Sequence, residues 1–127
     1  MGYQIHIFRP KEANVISYEE LKKLIDSDDS LLLSESNINE ILWVNHPLGG
    51  IDGHTPVLYF EEKRISSRYP DEFVTKKMFD MAQQINAALG DDEEAFDDNY
   101  RLEIDESCEN ILRRNNRKSN KPKWKFW

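Results

Sequence analysis

The spacing of apolar residues changes several times along the chain, and each change marks an element. Tyr3, Ile5 and Ile7 alternate with Gln4, His6 and Phe8 until Pro10 ends the run, so both faces carry bulk, which predicts an interior strand. Ser17 and Glu20 form a capping box, with Ile16 and Leu21 at the spacing of a hydrophobic staple. A helix therefore opens at Tyr18 and buries Leu21, Leu24 and Ile25. Turn formers fill residues 26–30, and Leu31, Leu32 and Leu33 then read as a short strand. Ile41, Leu42, Trp43 and Val44 are strand formers that stop short of Pro47, and Val57, Leu58, Tyr59 and Phe60 follow the breaker-rich loop 47–56. The two runs predict a hairpin with a long loop. Ile65 either ends its second strand or begins another.

Residues 65–96 carry the longest pattern. Pro70 suits a first helical position, and Asp71 and Glu72 set negative charge against the positive end of the helix dipole. Val74, Met78, Met81, Ile85 and Leu89, flanked by Phe73, Ala82 and Ala88, form one apolar stripe at helical spacing. Gly90 is read as the helix stop, taking a left-handed turn before the acidic run Asp91, Asp92, Glu93 and Glu94. Farther on, Tyr100, Leu102 and Ile104 alternate as an edge strand, and residues 109–114 make one helical turn. The sum is an α+β two-layer sandwich, a mostly antiparallel sheet of four or five strands with two helices packed on one face.

Composition narrows the class. A chain of 127 residues is one domain, and its single cysteine, Cys108, cannot form an internal bridge. No apolar run approaches the roughly 20 residues a bilayer span requires, and the first residues lack a secretory signal, so a cytoplasmic monomer is expected. Residues 1–112, the expected domain, hold all 24 acidic residues against ten Lys and Arg, a net −14; residues 113–127 hold seven Lys and Arg and no acid, a net +7. An acidic body suits a basic protein and repels nucleic-acid phosphates.

Candidate chemistry is sparse. The run Asp91, Asp92, Glu93 and Glu94, continued by Asp97 and Asp98, lacks the alternate-position ligands and central glycine of a calcium loop. His46, Asp52 and His54 lie in or beside the glycine-rich loop and make a minimal acid–base set, though without a zinc-site spacing. His6 reads as a satisfied strand histidine, Cys108 has no identifiable base, and the loop GGIDG lacks the Lys-Ser/Thr ending of a phosphate loop. No catalytic residue, metal or cofactor is assigned. The basic, aromatic tail places Trp124, Phe126 and Trp127 among Lys121, Lys123 and Lys125, a mixture suited to a membrane surface, to stacking on unpaired bases, or to docking on the protein's own acidic body, while the lack of apolar periodicity from Asn115 onward also fits an exposed, disordered tail.

Three pieces of the chain carry a resemblance: residues 5–9 (IHIFR), residues 17–20 (SYEE) and the turn at residues 90–96 (GDDEEAF). With the strands between them, these resemble a widespread group of small, largely uncharacterised bacterial α+β proteins, over residues 3–98. Glu94 departs from that pattern, standing where a glycine is common. Some members of the group look like immunity proteins, which protect a bacterium by binding a toxin. The resemblance implies a non-enzymatic, stoichiometric inhibitor of a toxin; the acidity of the body points to a basic one, with Asp91, Asp92, Glu93 and Glu94 as the acidic contact and Trp43 or Phe96 as an aromatic anchor. Two other readings stand beside it. One is a peripheral membrane adaptor making weak surface contact through the tail, and the other is a small hydrolase built on His46, Asp52 and His54.

Overall fold

A computed structural model describes residues 4–9, 15–37, 39–51, 53–68, 70–91 and 94–120. Strand β1 (Ile5–Phe8) leads to helix α1 (Tyr18–Asp26), then to strands β2 (Leu31–Leu33), β3 (Glu40–Trp43), β4 (Val57–Glu61) and β5 (Arg64–Ser67). Helix α2 (Glu72–Gln84), strand β6 (Ala88–Gly90) and helix α3 (Asp98–Asn120) follow. The protein is α+β: among the described residues there are one six-stranded sheet in the order β2-β3-β4-β5-β1-β6, with every neighbouring pair antiparallel, and three helices. The expected strand and helix counts are each too low.

Strands β2 to β5 form a meander whose last turn, Glu62 and Lys63, takes positive φ at both residues, as a two-residue hairpin loop requires. Ile65 thus begins a strand of its own. The register puts Leu31, Ile41, Trp43, Leu58, Ile65, Ile5, Ile7 and Leu89 on one face. These residues share a single core with Leu21 and Leu24 of α1 and Phe73, Val74, Met78 and Met81 of α2. On the opposite face His6 is buried, and its Nδ1 lies 2.7 Å from the hydroxyl of Ser66, its cross-strand neighbour.

The capping box at Ser17 and Glu20 is present. Glu20 does more than cap: its two carboxylate oxygens accept hydrogen bonds from Arg9 at 2.9 and 2.5 Å, and Arg9 also donates to the carbonyl of Ile85. One guanidinium therefore ties the end of β1 to the start of α1 and the end of α2.

The main helix is shorter than its apolar stripe. Asp71 is the N-cap, its Oδ1 accepting the N–H of Val74 at 2.8 Å, so Pro70 precedes the helix. The helix ends at Gln84, and Asn86, at φ 55, takes the left-handed conformation expected of Gly90. Ala88, Leu89 and Gly90 then pair with β1 as an edge strand. Gly90 serves a close approach instead: a Cβ there would meet the carbonyl oxygen of Glu94 and lie 2.7 Å from the Cα of Ala95. The alternation of Tyr100, Leu102 and Ile104 is also misleading, since all three lie in α3. Tyr100, Ile104, Cys108 and Ile111 recur at four, four and three residues and pack on the core, which is the helical period. Helix α3 runs on to Asn120, across the change of charge at residue 113. Its placement on α2 is fixed by the rings of Phe79, Phe96 and Tyr100 and by Lys76 Nζ, 3.0 Å from Asp105.

Candidate functional site

The acidic corner begins where β6 turns toward α3. Gly90 bridges Ala95, the N–H of Phe96 donates to the carbonyl of Leu89 at 2.8 Å, and Asp91 Oδ1 accepts the N–H of Glu94 at 3.0 Å. Asp91 thus shapes the turn while Glu94 is exposed; Asp92 and Glu93 lie outside the described residues. Asp97 closes the corner by accepting the N–H of Tyr100 at 2.9 Å, the work of an N-cap.

Residues 91–109 hold ten of the 24 acidic residues and a single Arg. Helix α3 sorts its share by face. Asp105 pairs with Lys76, and Arg101 lies 2.8 Å from Gln83 and 3.8 Å from Asp80 on α2. Asp98, Glu103 and Glu106 are exposed and, among the described residues, hold no ion pair. Between them stands Leu102, 64% exposed. Expecting Leu102 in a strand hides this surface; the helical spacing of Tyr100, Ile104 and Cys108 is the sequence signal for it. Phe96 and Trp43, the expected anchors, are engaged within the protein, Phe96 in the aromatic cluster and Trp43 in the core.

His46 and His54 have separate surroundings. His46 is buried between the rings of Trp43 and Phe73, with centroids 5.3 and 5.2 Å away. Its Nδ1 accepts the N–H of Leu48 at 3.0 Å, which puts the ring proton on Nε2, donated to Asp71 Oδ2 at 2.6 Å. Both nitrogens are occupied by the protein itself. His54 is exposed and exchanges two backbone hydrogen bonds with Ile51, and Asp52 lies outside the described residues.

A groove of about 190 Å³ opens where α3 passes the β3–β4 loop, walled by Trp43, Pro47, Phe73, Cys108 and Leu112, with Asp80 and Glu109 among its charged residues. Burial pushes the Cys108 thiol up to about 11, against the pull of Lys76, so it stays protonated near neutrality and is a poor nucleophile there. Among the described residues no group of three or more His, Cys, Asp and Glu side chains is placed to hold a metal ion, and no helix is long and apolar enough to cross a membrane. Lys121, Lys123, Trp124, Lys125, Phe126 and Trp127 lie outside the described residues. No family model, no curated protein and no solved structure matches the chain.

Proposed function

We propose that this chain is a non-enzymatic binding protein, a stoichiometric inhibitor of the immunity type whose acidic surface masks a basic protein such as a toxin. The observation that carries the reading is the sorting of charge on α3. Asp105, which faces α2, is paired with Lys76, whereas Asp98, Glu103 and Glu106 are exposed and hold no ion pair among the described residues. Unpaired carboxylates concentrated on one rigid element make a directed negative field, which steers a cationic partner and raises its association rate. Leu102 gives that surface an apolar centre with a polar rim, the arrangement of a protein interface. The contact therefore extends from the expected turn residues Asp91, Asp92, Glu93 and Glu94 onto the outer face of α3.

Capture of the tagged full-length chain from its native cells, at low and moderate salt, tests the reading. A single basic protein at near-equal stoichiometry, associating more slowly as salt rises, is expected. With that partner in hand, the combined Asp98→Lys, Glu103→Lys and Glu106→Lys variant should reduce the low-salt association rate about tenfold or more. An unchanged rate would remove this face as the contact, and recovery with membranes and no basic protein would favour an adaptor.

A further inference from the structure

We infer that the groove between the β3–β4 loop, α2 and α3 is the seat of an aromatic ring from residues 121–127 of this same chain. The inference does not rest on the inhibitor reading, since the groove lies toward the far end of α3 from the acidic corner.

Size selects the class of occupant. A cavity of about 150 Å³ lined by apolar side chains takes up benzene, whereas drug-sized ligands occupy about 300–1,000 Å³. At about 190 Å³ the groove fits one aromatic ring. Its walls are apolar at Trp43, Phe73 and Leu112.

Charge selects the flanks of that ring. The two lysines of the groove are already committed, Lys76 to Asp105 and Lys77 to Asp28. The carboxylates are held more loosely: Asp80 lies 3.8 Å from Arg101, and Glu109 lies 3.8 Å from Arg113 in an exposed pair one helical turn along. A ring with a cation beside it is the complement. The segment KPKWKFW has that alternation, and no other stretch of the sequence interleaves lysine with aromatic residues in this way.

Reach is sufficient. Helix α3 runs antiparallel to α2, from Arg101 beside Gln83 to Asp105 beside Lys76, and Leu112 is the last of the described residues lining the groove. From Leu112 to Asn120 is eight residues, about 12 Å of helix. Seven further residues span up to about 23–25 Å when extended, enough to double back over that distance, and Pro122 cannot continue a helix without losing a backbone donor. A tether this short holds the ring near the groove at millimolar effective concentration, so a weak contact suffices to fill it.

Nuclear Overhauser measurements on the full-length chain with labelled leucine methyls test the inference. Contacts from the Leu112 methyls to the rings of Trp124, Phe126 or Trp127 are expected, and the combined Trp124→Ala, Phe126→Ala and Trp127→Ala variant should lose them. In that variant Cys108, which also lines the groove, should react at least fivefold faster with a thiol reagent at an unchanged melting temperature. Absence of the contacts together with an unchanged Cys108 rate would overturn the inference. So would contacts that appear only between differently labelled chains in a mixed sample, because the occupant would then be a second copy.

Discussion

Asp71 accepts from His46 with one carboxylate oxygen and from the backbone of Val74 with the other, at 2.6 and 2.8 Å, so a single side chain both caps α2 and anchors the β3–β4 loop. The loop's attachment and the helix's start are therefore one structural event. Asp71→Ala should lose the cap and leave a buried imidazole N–H unpaired, a combined cost of about 2–4 kcal/mol. Asp71→Asn, whose amide keeps one acceptor oxygen and so either the cap or the His46 bond but not both, should cost less than alanine. Urea denaturation of the two variants and of His46→Ala in a double-mutant cycle checks the coupling; additive effects would mean the bond carries no energy of its own.

Gly90→Ala should destabilise by about 2–3 kcal/mol, because the added Cβ meets main-chain atoms of Glu94 and Ala95 that a side-chain rotation cannot clear. Gly49→Ala makes the contrast. Gly49 has φ 83 but nothing within 4 Å of an added methyl, so only the left-handed backbone penalises it, by about 1–2 kcal/mol. Chemical denaturation of both separates crowding from conformation.

Two carboxylates should make the fold acid-sensitive. The Arg9 guanidinium holds Glu20 below the usual carboxylate range; at Asp28 burial pushes the other way and is outweighed by hydrogen bonds from Lys77 and Ser30, so its value is lowered too. A depressed folded-state value means stability that is fully present above the unfolded value, about 4, and is lost as pH falls through the lower folded one. The urea midpoint should therefore hold at pH 6 and drop from about pH 4 downward. Asp28→Asn and Glu20→Gln should each flatten that drop while lowering stability at neutral pH.

Cys108 should act at the other end of the pH scale. Burial raises its thiol to about 11, above the unfolded value, so the neutral form is preferred in the fold. Its contribution is complete below about pH 8.5 and is progressively lost as pH climbs through the folded value. The stability difference between the natural chain and Cys108→Ala, followed from pH 7 to about pH 10.5, should shift against the natural chain as pH rises. A difference independent of pH would show that the thiol titrates alike in both states.

What the sequence makes legible is what lies close along it. Ser17 and Glu20 are three residues apart, and Ile16 and Leu21 five, so the start of α1 can be read directly, and both apolar residues are fully buried. Leu89 shows the opposite case. It follows Ile85 by four residues and so extends the helical stripe, yet it belongs to a strand of three residues, too short to show a period of its own. The long helix α3 is hidden by a second coincidence, since Tyr100 and Ile104 fit both a strand alternating through Leu102 and a helix continuing to Cys108. The 64% exposure of Leu102 shows which pattern the fold uses. His46 and Asp71 are 25 residues apart, and no local pattern relates them. The expected anchors Trp43 and Phe96 stand out in the sequence as large apolar residues, and the same property places them in internal packing.

Strand β1 lies between β5 and β6, with Ile7 facing Ile65 on one side and Leu89 on the other. During synthesis β1 therefore emerges first and waits, with neither neighbour yet made, until the meander and then α2 and β6 have followed. The hairpins can zip as they appear, but the two ladders that hold β1 close over long loops and come late. A nascent chain halted before residue 88 would present the β6-facing edge of β1, a row of backbone donors and acceptors ready to pair, to whatever other strand it met.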